Sequence, residues 1–331
     1  MAFSWLLLFL GIVAFIVTLL LFWLAFPIAH LIAVSVPNKR SLHVGLIPQA
    51  GGMIILCAIS VVILSLNFEG TFMVSDFILL FGSIIATIGW LDDRFNLPII
   101  VRLVGYSSCI FGYLFFTQEI VSGASRLYLL EILAVTFLIL CFVNFTNFMD
   151  GIDGIVVIGL VHIFFFVCIL SILSIVSTES GILGAVAIGA LSAFFVFNGP
   201  PARIFLGDSG SILMGFITAI LLGNLYKSVG LIPTLIMPLY FIADPVVTII
   251  KRIYRRERFW EAHRKHYYQQ ALDGGQSNWS ILRRIGFCNL ILLILAYHAL
   301  SADLLWSILF FCVALCCVTA LLNSMANNRN V

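Results

Sequence analysis

Charge is what this sequence has least of. Only 10% of its 331 residues are Asp, Glu, Lys or Arg, while 62% are apolar. No water-soluble fold hides that apolar fraction, so the chain reads as a polytopic membrane protein. The net charge of +2 is too small to argue from, and its distribution matters more than its sum. Metal-spaced cysteine is lacking too. Most of the eight Cys, such as Cys57, Cys109, Cys168, Cys312, Cys316 and Cys317, lie inside apolar runs, without CxxC spacing or a disulfide framework. No positive charge precedes the first apolar run, 3–29, which is too long for a signal-peptide core. Lys39 and Arg40 follow it, so an uncleaved first span with the N-terminus outside is expected. There is no clear internal repeat, low-complexity tract or second domain. The expectation is one integral-membrane domain, 1–331, whose largest soluble piece is the loop 251–284.

What is present is a series of apolar runs at 3–29, 51–66, 77–91, 99–116, 127–143, 155–175, 182–197, 211–225, 231–250, 281–300 and 304–322. Each is near the length of about 17–25 residues that spans a bilayer as a helix. An all-α fold of about eleven transmembrane helices follows, or ten if the weak span 77–91 or 182–197 fails. The basic residues arbitrate. With the N-terminus outside, fifteen of the seventeen Lys and Arg fall on the inner side, and only Arg126 and Lys227 fall outside. That asymmetry supports all the spans at once and puts the C-terminus in the cytoplasm. The same assignment scatters the outer acids and gathers the inner ones beside Gly, Asn and His.

The densest inner motif is Asn144-Phe-Thr-Asn147-Phe-Met-Asp150-Gly-Ile-Asp153-Gly154, where two apolar runs meet. A carboxylate at membrane depth costs roughly 2.5–3.5 kcal/mol on insertion scales. Four polar side chains there need a partner, and a cation or a ligand carrying one is the simplest. Gly151 and Gly154 imply that the backbone leaves the helix, which is tolerated where it lines a cavity. Gly89-Trp90-Leu91-Asp92-Asp93-Arg94 ends the third span. Adjacent carboxylates at roughly 4 Å repel by about 4 kcal/mol at an effective dielectric near 20. A divalent cation, a basic phosphate neighbour, or a proton held by one acid acting as a base would relieve this.

Further motifs fall on the same side. Lys39, Arg40 and His43 precede Gly51-Gly52 and offer cations to phosphate oxygens, or form a plain positive-inside loop. Asn198, Arg203 and Phe205 lead into Gly207-Asp208-Ser209-Gly210, where Asp208 and Ser209 are natural N-cap residues beside a ligand cradle. Asp244 could serve the site or pair structurally with Arg252, in a span that Pro233, Pro238 and Pro245 should bend. His263-Arg264-Lys265-His266 could take a metal or, more economically, an anion.

In this order the motifs resemble the polyprenyl-phosphate N-acetylhexosamine-1-phosphate transferase family, also called glycosyltransferase family 4. The resemblance runs from PNxRSxH…P…GG through GxxDDxxN, NxxNxxDGIDG and FNxPxxxxFLGDSGS to HRxHxYQ, and covers nearly the whole chain. It implies transfer of a sugar-1-phosphate from a UDP-N-acetylhexosamine-type donor to undecaprenyl phosphate, with release of UMP and a need for Mg²⁺ or Mn²⁺. It implies that Asp208 binds the metal, with Asp92 and Asp93 as further candidate ligands. Asp92 matches the base on the lipid phosphate. Asp150, Asp153, Asn198 and Phe205 match positions lining the nucleoside and diphosphate site, with Asn147 in support. His263, Arg264 and His266 match a loop near the diphosphate and sugar. The histidine loop lacks the consecutive histidines of the peptidoglycan enzyme. The match is nearer the branch that starts O-antigen or other surface polysaccharides, whose donors include 6-deoxy amino sugars. The implied place is the bacterial inner membrane, with the active site at the cytoplasmic face. A homodimer is compatible with the resemblance, and no nucleic-acid partner is expected. Two rivals remain: an intramembrane Mg²⁺-dependent prenyltransferase, which predicts matched halves, and a transporter, which predicts polar residues at the bilayer midplane.

Overall fold

The computed structural model describes residues 2–32, 34–35, 46–68, 74–118, 127–258, 261 and 263–326. The chain opens with α1 (Ala2–Ala25), a 3₁₀ turn (Phe26–Ile28) and the short α2 (Ala29–Ile32). A two-residue antiparallel ladder pairs β1 (Val34–Ser35) with β2 (Ile47–Pro48). Then come α3 (Gly51–Phe68), α4 (Asp76–Phe95), α5 (Ile99–Thr117), α6 (Tyr128–Phe148), α7 (Ile155–Ile172), α8 (Thr178–Asn198) and α9 (Gly207–Val229). The remainder is α10 (Leu231–Ile236), α11 (Leu239–Tyr254), α12 (Tyr267–Asp273), α13 (Asn278–Ala299) and α14 (Leu304–Ala326).

Among the described residues, nine helices are long and apolar enough to cross a membrane. The expected spans 77–91 and 231–250 are not among the nine: α4 carries Asp76, Asp92, Asp93 and Arg94 at its ends, and α10 is separated from α11 at Pro238. Proline cannot donate to a helix and clashes with the preceding turn, so the break falls there. Pro245 stays inside α11. The fold is an all-α polytopic membrane protein, with the small β ladder as its one departure among the described residues. The loop 251–284 is not plain loop, because it holds the end of α11, all of α12 and the start of α13.

Burial sorts the helices into two kinds. α7, α8 and α9 are largely enclosed, whereas α1, α5 and α14 expose most of their apolar surface. Trp5, Phe9, Trp23, Leu305 and Trp306 face outward, as side chains meeting lipid should. α9 is the axis of the interior. A Cβ on Gly52 of α3 would lie 2.1 Å from the Gly210 nitrogen, and one on Gly89 of α4 would lie 2.7 Å from the Ser209 nitrogen. Only glycine lets α3 and α4 approach the start of α9 this closely. That approach positions the site. The end of α4, the start of α5, the end of α6, the end of α8 and the start of α9 all meet at one face of the bundle.

Candidate active site

Asp92 and Asp93 are consecutive on α4, so their side chains leave the helix about 100° apart. They find different partners. Asp92 is buried. It accepts from the Arg102 guanidinium of α5 and, at 2.8 Å, from the Leu97 backbone N–H. Asp93 reaches α9, accepting from the backbone N–H of Asp208 at 3.0 Å and of Ser209 at 3.3 Å. The first N–H groups of a helix have no partner within it, and its N-terminus favours negative charge. Asp93 therefore caps α9 from another helix. Asp208 and Ser209, which read as caps in the sequence, sit instead inside the first turn, after Leu206. The repulsion expected between neighbouring carboxylates is relieved by this division of partners.

Asp208 is the residue on which the elements converge. Its Oδ1 accepts from Asn147 Nδ2 of α6 at 2.8 Å, and Asn147 also donates to Ser211 Oγ at 3.0 Å. Its Oδ2 lies 3.6 Å from the Arg102 guanidinium, which thus bridges Asp92 and Asp208. Asp92 is also a side-chain hydrogen-bond neighbour of Asp208. Asp150 lies in the connection between α6 and α7. Burial pushes its carboxyl up to about 8, and the charges of Asp93 and Asp153 add to this. That is a local excess of negative potential which a divalent cation would relieve. Carboxylate and amide oxygens are a hard donor set, suited to Mg²⁺ or Mn²⁺. Among the described residues, no three or more His, Cys, Asp or Glu side chains are gathered closely enough to hold an ion by themselves. Ligand oxygens would have to complete the coordination, as is common for Mg²⁺.

The remaining residues divide into those that build the cradle and those that border it. Asn198 is buried and staples two loops. Its Oδ1 accepts from Gly154 N–H at 2.8 Å and its Nδ2 donates to Ile204 C=O at 2.9 Å. Asp153 Oδ2 accepts from Ala202 N–H at 3.0 Å. Phe205 is pinned by its backbone, donating to Pro48 C=O at 2.8 Å and accepting from Gly51 N–H at 3.0 Å. Lys39, Arg40 and His43 lie outside the described residues.

The histidine loop docks beside Asp150. Asp244, fully buried in α11, accepts from the N–H of Tyr267 at 3.0 Å and of Tyr268 at 3.3 Å, and meets His266 Nδ1 at 3.2 Å. Arg252, which could have paired with it, is engaged elsewhere, with Glu257 and the carbonyls of Arg258 and Glu261. His266 caps α12 in a reciprocal capping box with Gln269. Tyr268 reaches back to donate to Phe148 C=O at 2.8 Å, beneath the Asp150 connection. A Cβ on Gly151 would lie 2.1 Å from that phenol oxygen, so only glycine permits this docking. His263 packs on the His266 ring at 4.8 Å. Burial and then the His266 charge push its imidazole down to about 4, so it is neutral at pH 7. Arg264 is turned to Asp273 at 2.6 Å and Lys265 to Glu257 at 2.6 Å. Arg102 is the residue that sequence reasoning missed. It counted only as an inner positive charge, although a guanidinium inside the apolar run 99–116 is itself a signal of a buried partner.

Fold and site together define a multi-pass membrane protein with an acid centre assembled at one face from α4, α5, α6 and α9. Residues 75–225, which span those four helices, match the family described as glycosyl transferase family 4. The chain is 28% identical to a probable undecaprenyl-phosphate N-acetylglucosaminyl 1-phosphate transferase of Bacillus subtilis, over 94% of this chain and 93% of that protein. A shorter match, 27% identical over 30% of this chain and 32% of the other, is to a phospho-N-acetylmuramoyl-pentapeptide-transferase of Streptococcus uberis.

Proposed function

We propose that this protein transfers a sugar-1-phosphate from a UDP-N-acetylhexosamine-type donor to undecaprenyl phosphate at the cytoplasmic face, releasing UMP. The observation that carries the reading is the meeting of Asp208 with Asp92, Asn147 and Arg102 from three other helices. The relative of nearly equal length supports the lipid acceptor and the amino sugar. The positive-inside asymmetry supports the orientation, with the N-terminus outside and the C-terminus in the cytoplasm. The lipid-linked product would start a surface polysaccharide such as O-antigen.

Phosphoryl transfer asks little covalent chemistry of a protein; it asks for position and charge. Asp208 would hold a Mg²⁺ or Mn²⁺ ion, with Asp92 near enough to share it. When bound, the ion would neutralise charge on the diphosphate and polarise its oxygens. Asn147 orients the Asp208 carboxyl. Arg102 holds Asp92 in the free protein and offers its guanidinium to an incoming phosphate, which would free the Asp92 carboxylate to act as the base on the acceptor. Asp93 keeps the start of α9, and so Asp208, in place. The docked histidine loop borders Asp150, where neutral His263 can donate one N–H to the diphosphate or sugar.

The test is UMP release by the purified chain with undecaprenyl phosphate and a panel of UDP-amino sugars, the 6-deoxy forms included. Release with at least one donor, dependent on the lipid, is the expected result. No release with any donor, from a folded preparation, would return the question to a prenyltransferase or a transporter.

A further inference from the structure

Arg102 is not alone on its face of α5. Tyr106 follows it by four residues, so the two side chains lie along one side of the helix. α5 packs against α4 closely enough that a Cβ on Gly105 would sit 2.9 Å from Ile88 Cδ1. Ile88 is one turn inward from Asp92 on α4. Tyr106 therefore lies a turn beneath the Asp92–Arg102 pair, at the floor of the acid centre. It is 2% exposed, and its hydroxyl has no hydrogen-bond partner among the described residues. The charges acting on that hydroxyl are, largest first, those of Asp208, Asp92, Arg102 and Asp93. Buried hydroxyls are usually satisfied; those of Tyr128 and Tyr240 are also without a partner among the described residues, but only Tyr106 follows Arg102 on the face of α5 toward the acid centre. An O–H a helical turn from Arg102 that feels these charges and bonds to none of the described groups is a donor kept for another acceptor.

We propose that the Tyr106 hydroxyl and the Arg102 guanidinium form a two-donor clamp for a phosphate oxygen at the floor of the acid centre. This rests on the phosphoryl-transfer reading above. Carboxylates repel a phosphate, so the anion needs donors among them, and α5 supplies one cationic and one neutral donor a helical turn apart. The phosphate could belong to the lipid acceptor or to the nucleotide donor; the chemistry of the clamp is the same.

The experiment measures binding of undecaprenyl phosphate and of UDP-N-acetylglucosamine, separately, to the purified full chain and its Tyr106→Phe variant. Phenylalanine keeps the ring and removes only the hydroxyl. The expected result is an affinity about tenfold weaker for one of the two ligands, the loss of one hydrogen bond to a charged group. The melting temperature without ligand should be unchanged or higher. A loss confined to the lipid assigns the clamp to the acceptor, and a loss confined to the nucleotide assigns it to the donor diphosphate. Unchanged affinity for both, or a lower melting temperature with unchanged affinity, overturns the clamp and gives the hydroxyl to the fold. A wild-type chain that binds neither ligand overturns the phosphoryl-transfer reading itself.

Discussion

The acid centre on α4, α5 and α9 and the histidine loop on α11 and α12 use the same residue types to different ends. In the loop, Asp244 is fully buried and engaged by two backbone N–H groups, His266 and the Thr248 hydroxyl. It holds a fold together. In the acid centre, Asp208 takes one amide donor from Asn147 and has Arg102 at 3.6 Å, with Asp92 as a carboxyl neighbour. Asp93 sits in the acid centre yet resembles Asp244, because both its oxygens accept from a helix N-terminus. A carboxylate whose two oxygens both accept from the N-terminus of a helix serves the fold, and one that faces side chains of several helices is available for chemistry.

Substitution should separate the two kinds. Asp208→Asn should lower turnover by about 10³-fold, the scale of a lost electrostatic anchor, with the melting temperature unchanged. Asp92→Asn should cost about 10²-fold or more in turnover and little in donor binding, as expected for a base; loss of donor binding alone would remove it from that role. Gly151→Ala should cost about 10- to 100-fold in turnover by pushing Tyr268 and the histidine loop off the Asp150 connection. Crosslinking between the loop and the α6–α7 corner would report the same displacement. Asp244→Asn should act through stability, lowering it by about 1–3 kcal/mol because an N–H of α12 loses its acceptor. Thermal melting and activity should then fall together, whereas in Asp208→Asn only activity falls.

The smallest expected effect is on pH. The Asp150 carboxyl is raised to about 8 in the free protein, so it carries its proton at pH 7. A cation or a cation-bound diphosphate favours the ionised form, so binding should release a proton and tighten as pH rises from 6 to 8. Asp150→Asn should flatten that dependence. A wild-type affinity that weakens over the same range would contradict the sign.

Much of this was legible in the sequence because apolar runs and the sidedness of Lys and Arg report spans independently of packing. The helix of α4 was placed, but its charged ends keep it out of the nine helices apolar enough to cross a membrane. The meeting of the described motifs at one face was legible for the same reason. The division of labour was not. Nothing in Asp92-Asp93 says which acid meets Arg102 and which caps α9, since that depends on the close approach at Gly89. Asn198 read as a residue matching the ligand site, and its bonds to Gly154 and Ile204 could not be read from the sequence; Asp244 could have paired with Arg252 and anchors α12 instead. Hydrogen bonds between elements decide these roles, across 22–24 residues for Asp244, 44 for Asn198 and 115–116 for Asp93, and local pattern does not carry them.

The most direct test is a titration of Mn²⁺ into the purified chain with UDP-N-acetylglucosamine present, followed by electron paramagnetic resonance. Wild type should bind one ion, and Asp208→Asn should lose it while Asp244→Asn, in its folded fraction, keeps it. Equal Mn²⁺ binding by wild type and Asp208→Asn would contradict the assignment of Asp208 as the residue that holds the metal.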